Sequence, residues 1–564
     1  MTQPEQPTEP TTSRSLSRIC LVAIIAIALL VRVVGLSRVP PPLFRDEAEK
    51  GYNAYCLAKT GRDSEGRRLP LFINAFGTRT SAIYQYATTP FVALFGLEVW
   101  SVRLTAALVG VATVLLLFLL ARALFDTPTA LVAAAILAVS PWHVCFSRWA
   151  QQGIFLPLFF TAATWAVVRF RQGWRPGLLI AAAAIALAAY AYAVGRVLAP
   201  LFLLLLVFVA RREIAQRKGW AVAAAFVLAI LVAPTLWFVT HQSDAALARF
   251  RRLSIAQPGM TPPQVVGRFI VNYAKHFDPV YLVIRGDREL RHSPRGIGQI
   301  YAIELPFLLL GLYFLARRRD AATALLIGWI AISPIAASMT REGIPHALRS
   351  LAGVPAFALV EAVGLVEIFR RLSDKATRVS LITLLVCAEL AFVAFFLFGY
   401  FVVYPGESAQ AWQAGFDKAL AYCRDGQADW RSPGGAEHEV WISESVGGLA
   451  LPREVISPVE MLVAFYEKIP PEQFQESRLR QTPYRVVPWG TNLNLLLTQR
   501  ARLPICAIVV AGEIAEELAE QMRISPFIPR HSATCVYRIP AAARNRNESR
   551  GGKPSDSTSG QERR

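Results

Sequence analysis

Residues 99–121 read VWSVRLTAALVGVATVLLLFLLA and carry one charged side chain, Arg103, near their start. A helix of about 20 such residues crosses the roughly 30 Å hydrocarbon core of a bilayer. Similar apolar segments recur along the 564-residue chain, so the sequence predicts about eleven transmembrane helices. The other segments lie at about 17–36, 129–146, 152–168, 177–194, 197–210, 220–240, 298–316, 321–339, 346–369 and 379–403.

The composition supports a polytopic membrane protein. Hydrophobic residues make up 54% of the chain and charged residues 18%, and the mean hydropathy is +0.38. Soluble globular proteins carry about 25% charged residues. These values exclude a disordered, collagen-like or disulfide-scaffold protein for the bulk of the chain.

The net charge of +19 is explained by the placement of basic residues in the loops of a membrane protein. Basic residues cluster in alternate short loops, such as 169–176, 211–219, 317–320 and 369–378. The positive-inside rule places these loops and the N-terminus on the cytoplasmic side. The predicted membrane is the plasma (inner) membrane. We predict no nucleic-acid partner, because no soluble segment presents a basic face interleaved with aromatic residues.

The stretch 177–210 is interpreted as a hairpin of two short spans. One helix of that length would be about 51 Å long, too long for a single span. A hairpin that turns at Gly195-Arg196 also keeps both neighbouring basic loops in the cytoplasm. Arg196 is then expected at the outer face.

The predicted fold is an all-α polytopic membrane domain plus a small C-terminal α/β domain outside the cytoplasm. The predicted units are a disordered cytoplasmic N-terminus at 1–16, a membrane domain at 17–403 with large outer loops at about 37–98 and 241–297, a soluble domain at 404–540, and a disordered tail at 541–564. Helix-like runs at about 408–422, 456–467 and 512–522 and strand-like runs at 438–443, 484–489, 506–512 and 534–539 support the α/β prediction. We expect this domain to cover an outer cavity and to help select the acceptor.

The seven cysteines show no CxxC pair and no Cys/His cluster, so they predict no metal site. Cys506 and Cys535 each lie near the start of a strand-like run. Two alternatives remain open for them: a cross-strand disulfide, or two reduced and buried thiols, which we favour.

The first outer loop carries the strongest candidate for chemistry. Residues 41–71 read PPLFRDEAEKGYNAYCLAKTGRDSEGRRLPL, with Asp46 and Glu47 adjacent. The stretch after them predicts a short helix at the membrane surface, with Tyr52 and Tyr55 as interfacial anchors. A carboxylate there can accept a proton from a hydroxyl or amine. A solvated acidic helix start is the alternative interpretation.

Other polar residues recur at the outer ends of the spans. Each alone fits an interfacial anchor, but the topology places them at one depth around Asp46, where several cations suit a phosphate group. The donor-binding residues predicted from these span ends are His143, Arg148, Tyr192, Arg196, Asp287, Arg291, His292, His346 and Arg349.

The order of these pieces resembles the GT-C membrane glycosyltransferases, in the branch of the protein O-mannosyltransferases and the lipid A aminoarabinose transferase. The resemblance covers residues 17–403 and includes SPWHVCFSRWA (140–150), YAYAVGRVLAP (190–200) and GIPHALRS (343–350). It implies sugar transfer with inversion from a polyprenyl-phosphate donor on the outer face, to a glycan, lipid or protein acceptor. It also implies Asp46 as the base, supported by Glu47. Arg103 falls in the family's S-x-R-L motif, and on this resemblance it joins the predicted donor-binding residues. Gln151-Gln152 departs from the family, which often has an acid or arginine there.

No cofactor is predicted and no residue is predicted to bind a metal, while the metal requirement stays open. No Asp-x-Asp motif occurs, which argues against a metal-dependent nucleotide-sugar transferase of the soluble type. Two other classes stay open. A transporter or lipid flippase would concentrate polar residues at the bilayer midplane, and the chain has no internal repeat. A receptor-like scaffold with a C-terminal binding module would leave Asp46 and Glu47 unexplained.

Overall fold

The computed structural model describes residues 11–242, 251–425, 439–452, 454–488, 490–493, 505–510, 513 and 534–539. Each of the eleven predicted spans contains an α-helix. Among the described residues, eight helices are long and apolar enough to cross a membrane, or nine if a pair bent by 58° at Ser140 is one span. Two predicted spans are shorter helices of 15 and 14 residues. The protein is a multi-pass membrane protein, and the count of eleven stays a prediction.

The first half of the chain contains α1 (Thr11–Val33), α2 (Arg45–Thr60), β1 (Phe72–Ala75), β2 (Thr78–Ser81), α3 (Ile83–Phe95), α4 (Val99–Leu124), α5 (Thr127–Val139), α6 (Pro141–Ser147), α7 (Phe155–Arg171), α8 (Gly177–Ala191), α9 (Ala193–Gln216) and α10 (Lys218–His241). The membrane domain continues with α11 (Pro262–Lys275), α12 (Leu305–Arg318), α13 (Ala321–Ile332), α14 (Ile335–Ser338), α15 (Ala347–Ser350), α16 (Val354–Arg371), α17 (Lys375–Phe398) and α18 (Tyr404–Glu407).

The N-terminus differs in part from the prediction of disorder at 1–16. Residues 11–16 belong to α1, because a helix nucleated in the apolar run gains one hydrogen bond for each residue added. Residues 1–10, the predicted tail from 541, and nearly all of the predicted helix at 512–522 lie outside the described residues.

Large apolar side chains cover the outside of the long helices. Phe226 on α10 is 66% exposed and Leu384 on α17 is 64% exposed. A soluble protein rarely exposes apolar patches of this extent. These surfaces fit contact with lipid chains.

The hairpin predicted between α8 and α9 is confirmed, but its turn is not at Gly195-Arg196. The chain turns at Tyr192, which has extended backbone angles between the two helices. Gly195 instead lies within α9, where a Cβ atom would lie 1.9 Å from the carbonyl oxygen of Ala188. The glycine therefore permits close packing of α9 on α8 rather than the turn itself.

The C-terminal domain has the predicted mixture of helices and strands. It contains α19 (Phe416–Asp425), β3 (Glu439–Ser443), α20 (Pro458–Tyr466), α21 (Pro471–Ser477), β4 (Tyr484–Val487), β5 (Ile505–Val510) and β6 (Thr534–Ile539). The strand order is β4-β3-β5-β6. The first three strands are parallel, and β6 is antiparallel to β5. All four predicted strands are confirmed.

Helix α2 lies between the membrane domain and the C-terminal domain. A Cβ atom at Gly51 would come within 2.7 Å of Val102 on α4 and of Phe465 on α20. The Tyr52 hydroxyl donates to the carbonyl of Ile469 at 2.9 Å, and its ring packs on Phe474. The prediction of Tyr52 as an interfacial anchor is therefore wrong, because the C-terminal domain covers this face of the helix.

The disulfide pairing also differs from both alternatives left open by the sequence. Cys423 on α19 is bonded to Cys506 on β5, and Cys535 is a buried free thiol. The register of β5 and β6 explains why, since Cys506 lies opposite Arg538 and Cys535 lies opposite Val509. The two strand cysteines are therefore not cross-strand partners.

We predict that mass spectrometry of the non-reduced protein finds the peptides of Cys423 and Cys506 linked. Replacing both with serine should destabilise the C-terminal domain by about 2–5 kcal/mol, measured by chemical denaturation. The control Cys387→Ser changes an exposed thiol and should leave stability unchanged. A linked Cys506–Cys535 peptide would contradict this fold.

Candidate functional site

A buried guanidinium organises the start of the first outer loop. Arg103 is fully buried in the first turns of α4. Its Nε and Nη2 atoms donate to the two carboxylate oxygens of Glu47 at 2.8 and 2.7 Å. Its other N–H groups donate to the carbonyls of Leu36, Pro40 and Pro41 at 2.7–3.1 Å. All five donors of the side chain are thus used.

The carboxylate of Glu47 also has several hydrogen-bond donors around it. Besides Arg103, its Oε1 atom accepts from the backbone N–H of Ala150 at 3.1 Å, and Oε2 accepts from that of Phe44 at 3.3 Å. The side chain is fully buried. Glu47 therefore holds three parts of the chain together.

Asp46, the adjacent residue, is in a different environment. Its side chain is 32% exposed, and its ion pair with Arg45 is long, at 3.8 Å. The C-terminal domain fixes Arg45, whose Nη1 atom donates to the carbonyls of Gly447 and Gly448 at 2.7 and 3.0 Å. The carboxylate of Asp46 is therefore accessible while the backbone that carries it is held from both sides.

The ring of Phe44 brings Arg291 to this region. The guanidinium carbon of Arg291 lies 4.5 Å from the centre of the Phe44 ring, and that of Arg45 lies 5.0 Å from it. Arg291 also pairs with Glu289 at 3.0 Å. Arg291, which the sequence predicts to bind phosphate, therefore lies beside Phe44, and Phe44 directly precedes Arg45 and Asp46 in the chain.

Asp287, His292 and His346 form a second cluster next to Arg291. Nδ1 of His292 lies 2.8 Å from Oδ2 of Asp287, which also accepts from the backbone N–H of Ala347 at 2.8 Å. The two imidazole rings lie 4.7 Å apart. Burial acts to raise the pKa of the Asp287 carboxyl, but His292 and the backbone donors outweigh it and lower that pKa. The three side chains offer ligand atoms within 4.8 Å of one another.

Arg349 is part of the same region. Its backbone N–H donates to Nδ1 of His346 at 3.4 Å, and its Nη1 atom donates to the hydroxyl of Thr340 at 2.6 Å. The structure therefore brings together Asp287, Arg291, His292, His346 and Arg349, although up to 62 residues separate them in the chain.

His143 and Arg148, like Arg103, are engaged inside the protein. Arg148 donates to the carbonyls of Val31, Val34 and Val39 at 2.7–2.8 Å. Nδ1 of His143 lies 2.9 Å from the guanidinium of Arg32. Arg103 and Arg148 donate to protein acceptors, and His143 accepts from Arg32. We therefore assign Arg103, His143 and Arg148 to contacts within the protein rather than to the phosphate.

Tyr192 and Arg196 have different surroundings from each other. The guanidinium carbon of Arg196 is 5.4 Å from the ring centre of Phe238, which stacks on Phe72 of β1. Tyr192 lies near Gly153, which also packs against Leu348, the residue before Arg349. We therefore leave Arg196 out of the proposed phosphate site, whereas Tyr192 lies next to the segment that carries Arg349.

The sequence reasoning missed two tryptophans that connect these groups. Trp149 packs against the rings of His292 and Trp412, with centroids 5.9 and 5.4 Å away. Trp412 also packs on Phe44 at 6.2 Å and lies 5.8 Å from the guanidinium carbon of Arg103. A tryptophan just after the last span is a recognised interfacial signal, and it could have indicated Trp412.

Glu49 is a further buried acid that the sequence patterns did not indicate. Its Oε1 atom accepts from the side-chain amides of Asn53 and Gln85, both at 3.0 Å. Lys50 lies 3.6 Å from its Oε2 atom. Burial raises the pKa of this carboxyl, although Lys50 and Gln85 act in the opposite direction. Glu49 joins α2 to α3 and has no access to solvent.

We predict that Glu47→Ala lowers the free energy of unfolding by about 3–5 kcal/mol, because Arg103 is left as a buried unpaired charge. Arg103→Ala should have a similar effect, and the double variant should lose less than the sum of both. The matched control is the exposed pair Glu98–Lys468, where Glu98→Ala should cost at most about 1 kcal/mol. Additive effects of the two buried substitutions would show that the ion pair is not a brace.

Comparisons with known proteins agree with this architecture. Residues 81–238 match the family model of dolichyl-phosphate-mannose-protein mannosyltransferase. A Bacillus subtilis (strain 168) protein, YkcB, whose name proposes a mannosyltransferase, is 36% identical over 81 residues. That match spans 14% of this chain and 11% of the relative.

Two crystal structures of ArnT from Cupriavidus metallidurans share the fold over nearly the whole chain. The apo structure matches 93% of this chain and 98% of ArnT, with 15% identity and a TM-score of 0.55. The structure bound to undecaprenyl phosphate matches 94% and 98%, with 14% identity and a TM-score of 0.52. The protein thus has an ArnT-like GT-C fold and resembles the dolichyl-phosphate-mannose-protein mannosyltransferases.

Proposed function

We propose that the protein is an integral-membrane glycosyltransferase that moves a hexosyl or pentosyl group from a polyprenyl-phosphate donor to an acceptor outside the cytoplasm. The observation that carries the proposal is the contrast between two adjacent carboxylates. Glu47 is saturated by buried donors, whereas Asp46 is held in place beside it with an accessible side chain. A positioned, accessible carboxylate suits a general base.

In the proposed reaction, Asp46 accepts the proton of an acceptor hydroxyl or amine. The deprotonated atom attacks the anomeric carbon of the sugar as the bond from that carbon to the phosphate oxygen breaks. The electron pair of this bond leaves with the polyprenyl phosphate. A single displacement of this kind inverts the anomeric centre.

Arg291 and Arg349 are the proposed partners of the leaving phosphate, together with the cluster of His292 and His346. Guanidinium groups bind phosphate through two parallel hydrogen bonds. The name of the matched family supports a lipid-linked donor, as does the undecaprenyl phosphate bound by ArnT. The acceptor is proposed as a glycan, lipid or protein.

The proposed orientation places the N-terminus and the basic loops in the cytoplasm of a plasma (inner) membrane, with the C-terminal domain outside. Two observations support it: the positions of the basic loops and the disulfide between Cys423 and Cys506, since disulfides persist in oxidising compartments. The contacts of this domain with Arg45 and Tyr52 support its proposed role in covering the site and selecting the acceptor.

Asp46→Asn should lower kcat by about 10²–10⁴-fold and leave thermal unfolding unchanged, because the side chain is part-exposed and its ion pair is long. The assay measures release of polyprenyl phosphate from a panel of undecaprenyl-phosphate hexoses and pentoses by the purified protein. Glu407→Gln, a change at an exposed acid near the end of the last span, is the matched control. Full activity of Asp46→Asn would exclude this residue as the base.

A further inference from the structure

We infer that a cavity between α2, α3 and the C-terminal domain binds the negatively charged headgroup of a phospholipid. The cavity has a volume of about 380 Å³. Val92 and Leu97 are among its apolar walls, and its polar lining residues are Tyr55, Lys59 and Lys468. Binding sites for small molecules measure about 300–1,000 Å³. The space therefore suits a glycerophosphate group whose acyl chains remain in the bilayer.

The surroundings place this cavity at the level of the lipid headgroups. Helix α4, which begins at Val99, is long and apolar enough to cross a membrane, and the cavity adjoins that end of the helix. Leu94 and Phe95 in the last turn of α3 are 76% and 48% exposed. Phe95 packs on Trp100 with ring centroids 5.1 Å apart, and tryptophan is enriched at membrane–water interfaces. Apolar side chains that suit acyl chains thus adjoin the cavity.

The charge of the cavity favours an anion. Nζ of Lys59 lies 6.0 Å from the centre of the Tyr55 ring, and Nζ of Lys468 lies 2.5 Å from Oε1 of Glu98. Two lysines beside one acid leave an excess of positive charge. An ammonium group is a compact cation that binds phosphate oxygens. A zwitterionic headgroup carries an ammonium of its own, which the lysines would repel, so we infer a lipid with a net negative headgroup.

The two lysines belong to different parts of the fold. Lys59 lies in the last turn of α2, whereas Lys468 follows α20 in the C-terminal domain. A headgroup bound to both would link α2 to this domain, in addition to the hydrogen bond from Tyr52 to Ile469. A ligand that binds only the folded protein stabilises it. The lipid should therefore raise the thermal unfolding temperature.

The test uses the full-length protein, delipidated in a neutral detergent, with phosphatidylglycerol as the probe. Phosphatidylcholine with the same acyl chains is the zwitterionic reference. We expect native mass spectrometry to show one tightly bound phosphatidylglycerol per chain. This lipid should also raise the thermal unfolding temperature more than phosphatidylcholine does.

Lys59→Gln and Lys468→Gln should each weaken phosphatidylglycerol binding about five-fold, and the double variant about 25-fold, because each removes one cation from an anionic lipid site. Lys418→Gln is the matched control. It removes an exposed lysine of the C-terminal domain that does not line the cavity, and it should bind like the wild type. Lys59 could instead serve only the C-terminal end of α2. Lys59→Gln would then lower the unfolding temperature without changing phosphatidylglycerol affinity, which would contradict the inference.

A second variant tests the position of the lipid without a change of charge. Ala93 is exposed and lines the cavity, so Ala93→Trp fills the space and keeps both lysines. It should lose the preference for phosphatidylglycerol and unfold like the wild type in phosphatidylcholine. The inference is wrong if folded Ala93→Trp or the double lysine variant binds phosphatidylglycerol like the wild type. It is also wrong if inorganic phosphate alone raises the unfolding temperature as much as the lipid does.

The inference goes beyond the proposed reaction and does not depend on it. The measurements need neither donor nor acceptor. Asp46→Asn should bind phosphatidylglycerol like the wild type, so failure of this site is distinguishable from failure of the proposed reaction.

Discussion

A guanidinium buried at the start of α4 holds the first outer loop to the membrane domain. Arg103 has five N–H donors, and all five point to oxygens of residues 36–47. An unpaired charge at this depth would cost several kcal/mol. The loop must therefore bring three carbonyls and the Glu47 carboxylate to one point, and this requirement sets where α2 begins.

This constraint separates the roles of two neighbouring acids. The carboxylate of Glu47 is buried in its ion pair with Arg103. The neighbouring Asp46 is held in position by the same helix, and its carboxylate is accessible. The C-terminal domain holds the same helix from its other side, through Arg45, Gly51 and Tyr52. This domain is therefore part of the framework of the site and not an appendage beside it.

Local patterns in the sequence predicted much of the fold. Hydropathy located the helices, and strand-like runs located all four strands. Asp46 and Glu47 were the candidates in the first outer loop, and their catalytic roles stay a proposal. Contacts between distant residues could not be predicted in this way. One sequence does not show that Arg148 reaches carbonyls more than 100 residues earlier, that Cys506 pairs with Cys423, or that a soluble domain buries Tyr52. In the sequence, an arginine or a tyrosine at the end of a span gives the same pattern whether its side chain contacts lipid, ligand or protein.

Donor phosphate is proposed to bind on the outer face, between Asp46 and the cluster around Arg291. The most direct measurement is a cryo-electron microscopy map of the protein in lipid nanodiscs with added undecaprenyl phosphate. We predict phosphate density within ion-pair distance of Arg291, on the side where the Asp46 carboxylate is accessible. Phosphate density at the basic-loop face, or at Arg196 and away from Asp46, would contradict it.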